Sequence, residues 1–133
     1  ANAFFDLGHL LGRADYLEAA ERMLQNIQQD MPRYGSGYSN WAILMQKFLQ
    51  PFCEVVVTGP EAIAFSQALD RIYNPNKILV AAVSEQGQQL ELLAGRFVEG
   101  ETYIYVCQGN ACQLPVKDVA AAVALIEKLT KSE

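Results

Sequence analysis

The sequence predicts an α/β (α+β) chain: an N-terminal helical hairpin, a third helix, and then a four-stranded mixed sheet in the order β-α-β-(α)-β-β-α. Three observations predict it. Apolar residues recur at helical spacing through the first fifty positions, β-branched runs replace that pattern from residue 52, and a Gly-Asn pair near the end carries a hairpin signal. At 133 residues with 51% hydrophobic side chains, the chain is long enough to bury a core.

Taken in order, Phe4, Leu7, Leu10 and Leu11 share a helical face that Gly12 ends. A second helix starts at once, with Asp15 as cap, Glu18 completing a capping-box-like pair, and an apolar face of Tyr16, Leu17, Ala20, Met23, Leu24 and Ile27. So short a connection predicts antiparallel helices. "MPRYGSGYSN" reads as a turn-rich linker, after which Ser39 or Asn40 caps a helix burying Trp41, Leu44, Met45 and Phe48 before Pro51. The boundary therefore falls between a helical segment, 1–51, and an α/β module, 52–133.

"FCEVVVTG" reads as a strand, and Thr58-Gly59-Pro60-Glu61 as a strand-to-helix turn with Pro near the first helical position. Ala62, Phe65, Leu69 and Ile72 carry the helix to "YNPN", and "KILVAAV", apolar on both faces, reads as a central parallel strand. Residues 84–100 fit a short helix or an extended segment equally. "TYIYVC" and "CQLPV" form a hairpin, and "KDVAAAVALIEKLTKSE" an amphipathic closing helix. From residue 52 onward this order matches a thioredoxin-like outline, a likeness of topology that carries no function by itself.

A net charge of −5 and scattered Lys and Arg argue against nucleic acid, because phosphate binding needs clustered cations. No apolar run reaches the roughly 18 to 20 residues of a bilayer span, and "ANAFFDLGHL" lacks the charged n-region and cleavage site of a signal peptide. A soluble, cytoplasmic protein is expected. The start at Ala1, already reading as mid-helix, suggests a piece of a longer protein.

Three cysteines, Cys53, Cys107 and Cys112, do not make a disulfide-stapled secreted domain. If Gly109-Asn110 is a two-residue type I′ or II′ loop, Cys107 faces Cys112 in a non-hydrogen-bonded pair with Cα atoms about 4.5 Å apart, at the short edge of disulfide geometry. The register permits oxidation without requiring it. Zinc needs about four ligands, and beyond this pair only Cys53 and His9 are on offer. Redox thiolates usually sit at a helix N-terminus, where the dipole lowers their pKa, whereas these lie in a hairpin. The expectation is a reduced, metal-free pair packed on one strand face, with thiol redox chemistry at Cys107 and Cys112 as the alternative.

The remaining residues point to no catalytic, cofactor or metal site. His9 reads as a surface or satisfied core residue. "VTGPEA" has one Gly and no following Lys or Ser/Thr, so a capped turn is favoured over an anion site. Asp70 with Arg71 and Glu18 with Arg22 read as solvated charges, and no Ser-His-Asp set is present.

The run "LLAGR", followed by "TYIYVCQGNACQLPVKD", resembles the C-terminal end of the thioredoxin-domain-containing proteins of the YyaL and spermatogenesis-associated-protein-20 type. "NAFFDLGHLLGRADYLEAAERML", the Pro of "MPRYG" and "EVVVTGP" are similar in the same order. This resemblance implies an N-terminal thioredoxin-like domain and a six-hairpin (α/α) barrel upstream, with the first two helices here closing the barrel. It also implies that the family's thioredoxin-type cysteine motif lies outside this chain, and Glu101 stands where relatives often carry Pro before the first hairpin strand.

The function expected is that of a non-catalytic C-terminal module with a structural or interaction role in a larger intracellular protein. Its partners are then the rest of that protein, or a second copy through Phe4, Leu7 and Leu11. The Met23–Ile27 face is expected to pack against the α/β half or that second copy. The alternatives are a share in a sugar-active enzyme of epimerase or glycosidase type, to which Tyr34, Tyr38 or Trp41 would contribute, and the thiol redox module.

Overall fold

The computed structural model describes residues 1–86 and 89–131, so Gly87 and Gln88 of the open segment and the last two residues of the closing helix lie outside the described residues. The chain divides into two compact units, Ala1–Gln50 and Pro51–Glu133.

In the first unit, α1 (Asn2–Leu11) ends at Gly12, whose left-handed backbone (φ 63°) returns the chain to α2 (Ala14–Ile27). The helices approach closely at Gly8, where a Cβ would stand 2.6 Å from Leu17 Cδ2. Asp15 is not the cap that the sequence suggested. Arg13 occupies that position without a side-chain cap bond, and Asp15 lies in the first turn of the helix, held by Arg13 through Nε at 2.7 Å and Nη2 at 2.5 Å. The guanidinium keeps the Asp15 carboxylate below its ordinary pKa. Two 3₁₀ turns, Met31–Arg33 and Gly35–Tyr38, lead into α3 (Ser39–Leu49). Tyr38 takes the N-cap position there, so neither Ser39 nor Asn40 caps the helix.

Phe5, Ala20, Leu24 and Leu44 are buried. Burying a side chain of Leu or Phe size is worth about 1.5–3 kcal/mol, which secures the packing of these helices. Phe48 meets the Phe5 ring edge-on at 4.9 Å, and Lys47 reaches Asp6 at 2.8 Å. Trp41, Met45 and Phe48 are half-buried only. Phe4, Leu7 and Leu11 remain 36–41% exposed, while Met23 and Ile27 are half-buried.

In the second unit, β1 (Cys53–Thr58), α4 (Ala62–Asp70), β2 (Lys77–Ala82), β3 (Tyr103–Gln108), β4 (Ala111–Cys112) and α5 (Val119–Lys131) give a four-stranded mixed sheet of order β2-β1-β3-β4. β1 is parallel to β2 and antiparallel to β3, as the α/β outline requires. The buried central position belongs to β1, all but one of whose residues are buried. The apolar β2, read as central from sequence, is an edge strand of mostly half-buried residues. The expected "CQLPV" strand is also shorter: β4 has two residues, and Val116 adds an isolated bridge to Ile104.

Alternation sorts the sheet into two faces. Cys53, Val55 and Val57 of β1, with Ile104 and Val106 of β3, form the core together with Ala62 and Leu69 of α4 and Ala122 and Ile126 of α5. Asp118 starts α5 by accepting the Ala121 amide on its side chain at 2.9 Å. Glu54, Val56, Thr58, Tyr105 and Cys107 point to the other face. Among its described residues, the open segment carries a 3₁₀ turn, Glu91–Leu93, with Leu92 and Leu93 buried. Among the described residues, no helix is long and apolar enough to cross a membrane.

Candidate functional site at the β3–β4 hairpin

The hairpin turns on Gly109, at φ 59°, and Asn110, which has no positive φ. A positive φ at the first loop residue alone is the type II′ requirement, so the loop is the two-residue form that sets the register. Gln108 pairs with Ala111 and Cys107 with Cys112, and the Gln113 amide donates to the Val106 carbonyl at 2.9 Å on the next rung. The two cysteines therefore face each other as the sequence predicted.

Their sulfurs, however, are joined. Cys107 and Cys112 form a disulfide with an S–S distance of 2.04 Å and Cα atoms 3.9 Å apart, in place of the two reduced thiols expected. The register makes the bond possible, because it holds the two Cβ atoms together on one face. Cys107 is buried at 1% exposure, whereas Cys112 is exposed on the short β4.

Arg96 completes this site. Its Nη1 lies 3.4 Å from Cys107 Sγ and its Nη2 lies 3.5 Å from Cys112 Sγ, so one planar guanidinium spans both sulfurs. It also lies over the Tyr105 ring, 5.3 Å from the centroid. The backbone beneath is fixed: the Arg96 carbonyl accepts the Thr58 hydroxyl at 2.7 Å and the Tyr105 hydroxyl at 3.0 Å. Burial raises the Tyr105 phenol above its usual pKa, with Arg96 working in the opposite direction. Across the β1–β3 ladder, Glu54 is the registered partner of Cys107 and shares its face. Sequence reasoning did not single out Arg96, because no periodicity in the segment reports on a side chain 11 and 16 residues from its two sulfur partners.

The third cysteine takes no part. Cys53 is fully buried in the core on the opposite face, and burial, reinforced by the Glu54 charge, pushes its thiol up to about 11. His9 stacks on Phe5 at 4.7 Å in the helical unit. Glu18, Arg22, Asp70 and Arg71 are exposed. Among the described residues, no three His, Cys, Asp or Glu side chains converge as a metal-holding group.

The β1–α4 turn was the other candidate. Two of its amides are used within the protein: the Glu61 N–H donates to Thr102 Oγ1 at 3.0 Å and the Ala62 N–H to the Gly59 carbonyl at 3.0 Å. These bonds close the turn, although Glu61, at the N-cap of α4, makes no side-chain cap bond. Comparison with known protein families, with curated proteins and with solved structures finds no match to this chain.

Proposed function

We propose that this chain is a non-catalytic structural or interaction module of a larger thioredoxin-domain-containing protein of the YyaL and spermatogenesis-associated-protein-20 type. The observation that carries the reading is the β1–α4 turn. In a thioredoxin-like outline a redox cysteine pair is expected at such a helix start, where the dipole activates a thiolate. Here the position is Thr58-Gly59-Pro60-Glu61, and the Glu61 and Ala62 amides are spent on Thr102 and Gly59. A turn closed in this way supports a scaffold better than a reaction centre. In this reading the exposed Phe4, Leu7 and Leu11 side chains serve as the contact face toward the remainder of the protein or a second copy.

The test is to express the larger protein with and without residues 52–133 and to measure its thermal midpoint and soluble yield. A drop in both on deletion is the expected outcome. Unchanged stability and solubility would overturn the proposal.

A further inference from the structure

We propose that the Cys107–Cys112 disulfide is a thiol–disulfide exchange site, opened by a small thiol reductant of the glutathione class through attack on Cys112, with Arg96 receiving the thiolate that leaves. The inference is independent of the module reading above, because it concerns the hairpin and not the β1–α4 turn.

Access selects the sulfur. Cys112 is exposed on β4, while Cys107 is 1% exposed on β3, with Arg96 against its sulfur. A reductant thiolate therefore bonds to Cys112 Sγ, the protein S–S bond breaks, and its electron pair stays on Cys107 Sγ. That sulfur becomes a thiolate 3.4 Å from the Arg96 guanidinium, where a fixed positive charge favours the anion. A lower leaving-thiol pKa makes departure faster. A second reductant thiolate then attacks the reductant's sulfur in the mixed disulfide, so that Cys112 Sγ leaves as the thiolate and the two reductant molecules depart joined as their own disulfide. Two electrons enter the protein, and the protons of the two reductant thiols end on Cys107 and Cys112.

Arg96 reaches both sulfurs, so removing its charge should slow the exchange.

The experiment incubates the native protein with glutathione at graded reduced-to-oxidised ratios, quenches with an alkylating agent, and counts labelled cysteines by mass while circular dichroism follows the fold. The expected result is native-state labelling of the exposed Cys112, while Cys107 and Cys53, both buried, are labelled only once the quenched chain is unfolded. Arg96→Gln should slow the reaction about three- to tenfold, because a neighbouring cation shifts a thiol pKa by one unit or more and leaving-group sensitivity passes on part of it. The anchors of the 90–97 segment use the Arg96 carbonyl, so Arg96→Gln leaves them in place. Should that variant fail to fold, Arg96→Lys, which keeps the charge, should react within about threefold of the native rate. The single variants assign the attacked sulfur: Cys107→Ser should carry glutathione on Cys112, and Cys112→Ser should leave Cys107 unmodified. Opening only on unfolding, equal rates for Arg96→Gln and the native protein, or glutathione found on Cys107 would each overturn the proposal.

Discussion

Gly59 lies against Glu101: a Cβ built on Gly59 would run into the Glu101 carbonyl oxygen and come within 2.7 Å of Thr102 Cα. Its φ of 120° is also one that side-chain-bearing residues rarely adopt. Both obstacles are backbone, so no rotamer change relieves them. Gly59→Ala is expected to destabilise the α/β unit by more than about 3 kcal/mol, strain and overpacking together. Urea unfolding followed by circular dichroism checks this, and a loss below 1 kcal/mol would show that the turn can shift.

Thr102, next along the same contact, is buried at 9% exposure and accepts the Glu61 amide. Thr102→Val keeps the shape and removes the acceptor, leaving that amide without its partner. A cost of about 1–2 kcal/mol is expected, without change in the disulfide or in Arg96. Amide hydrogen exchange should show the Glu61 N–H losing protection in the variant before its neighbours do.

How much of this was legible in the sequence depends on the range of the interactions involved. Gly12 and the period of α1 and α2 are local, and they read correctly. The type II′ loop at Gly109-Asn110 is local as well, and two residues sufficed to place Cys107 opposite Cys112. What failed was set at longer range. The apolar "KILVAAV" looks the same in the middle of a sheet as at its edge, because its burial is decided by what pairs on its far side. The caps assigned to Asp15, Ser39 and Asn40 failed for another reason: a capping residue type nominates a position, and the chain path one residue away decides it. The bond between Cys107 and Cys112 and the reach of Arg96 across both sulfurs depend on how residues 90–97 lie over the sheet, and no alternation in that segment reports it.

In the helical unit, Leu44 of α3 is fully buried. Leu44→Ala is expected to cost about 2–5 kcal/mol through lost transfer energy and the cavity left behind. Leu49→Ala, at a position 71% exposed on the same helix, should change stability by less than about 0.5 kcal/mol. Denaturant midpoints of the two variants decide, and equal effects would show that α3 does not pack through Leu44.

The pH dependence of stability should carry the signature of Cys53. Its thiol is fully buried between β1 and the helices, so the anion is disfavoured, and its folded pKa is pushed from 9.0 to about 11. In the unfolded chain the same thiol ionises near its ordinary value. The folded state therefore holds its proton more tightly. The stability linked to this difference is fully present below pH 9 and is lost as pH rises toward about 11. Two pH units correspond to roughly 2–3 kcal/mol at the upper end. Burial at Tyr105 acts in the same direction. A comparison of the native protein with Cys53→Ala removes that shared background. The variant starts less stable, by about 1–2 kcal/mol from lost packing, but its stability should decline less between pH 8 and 11. Parallel curves for the two proteins would mean that Cys53 ionises as readily folded as unfolded. The thiol should likewise resist alkylation in the native state at pH 8 and react once the chain is unfolded.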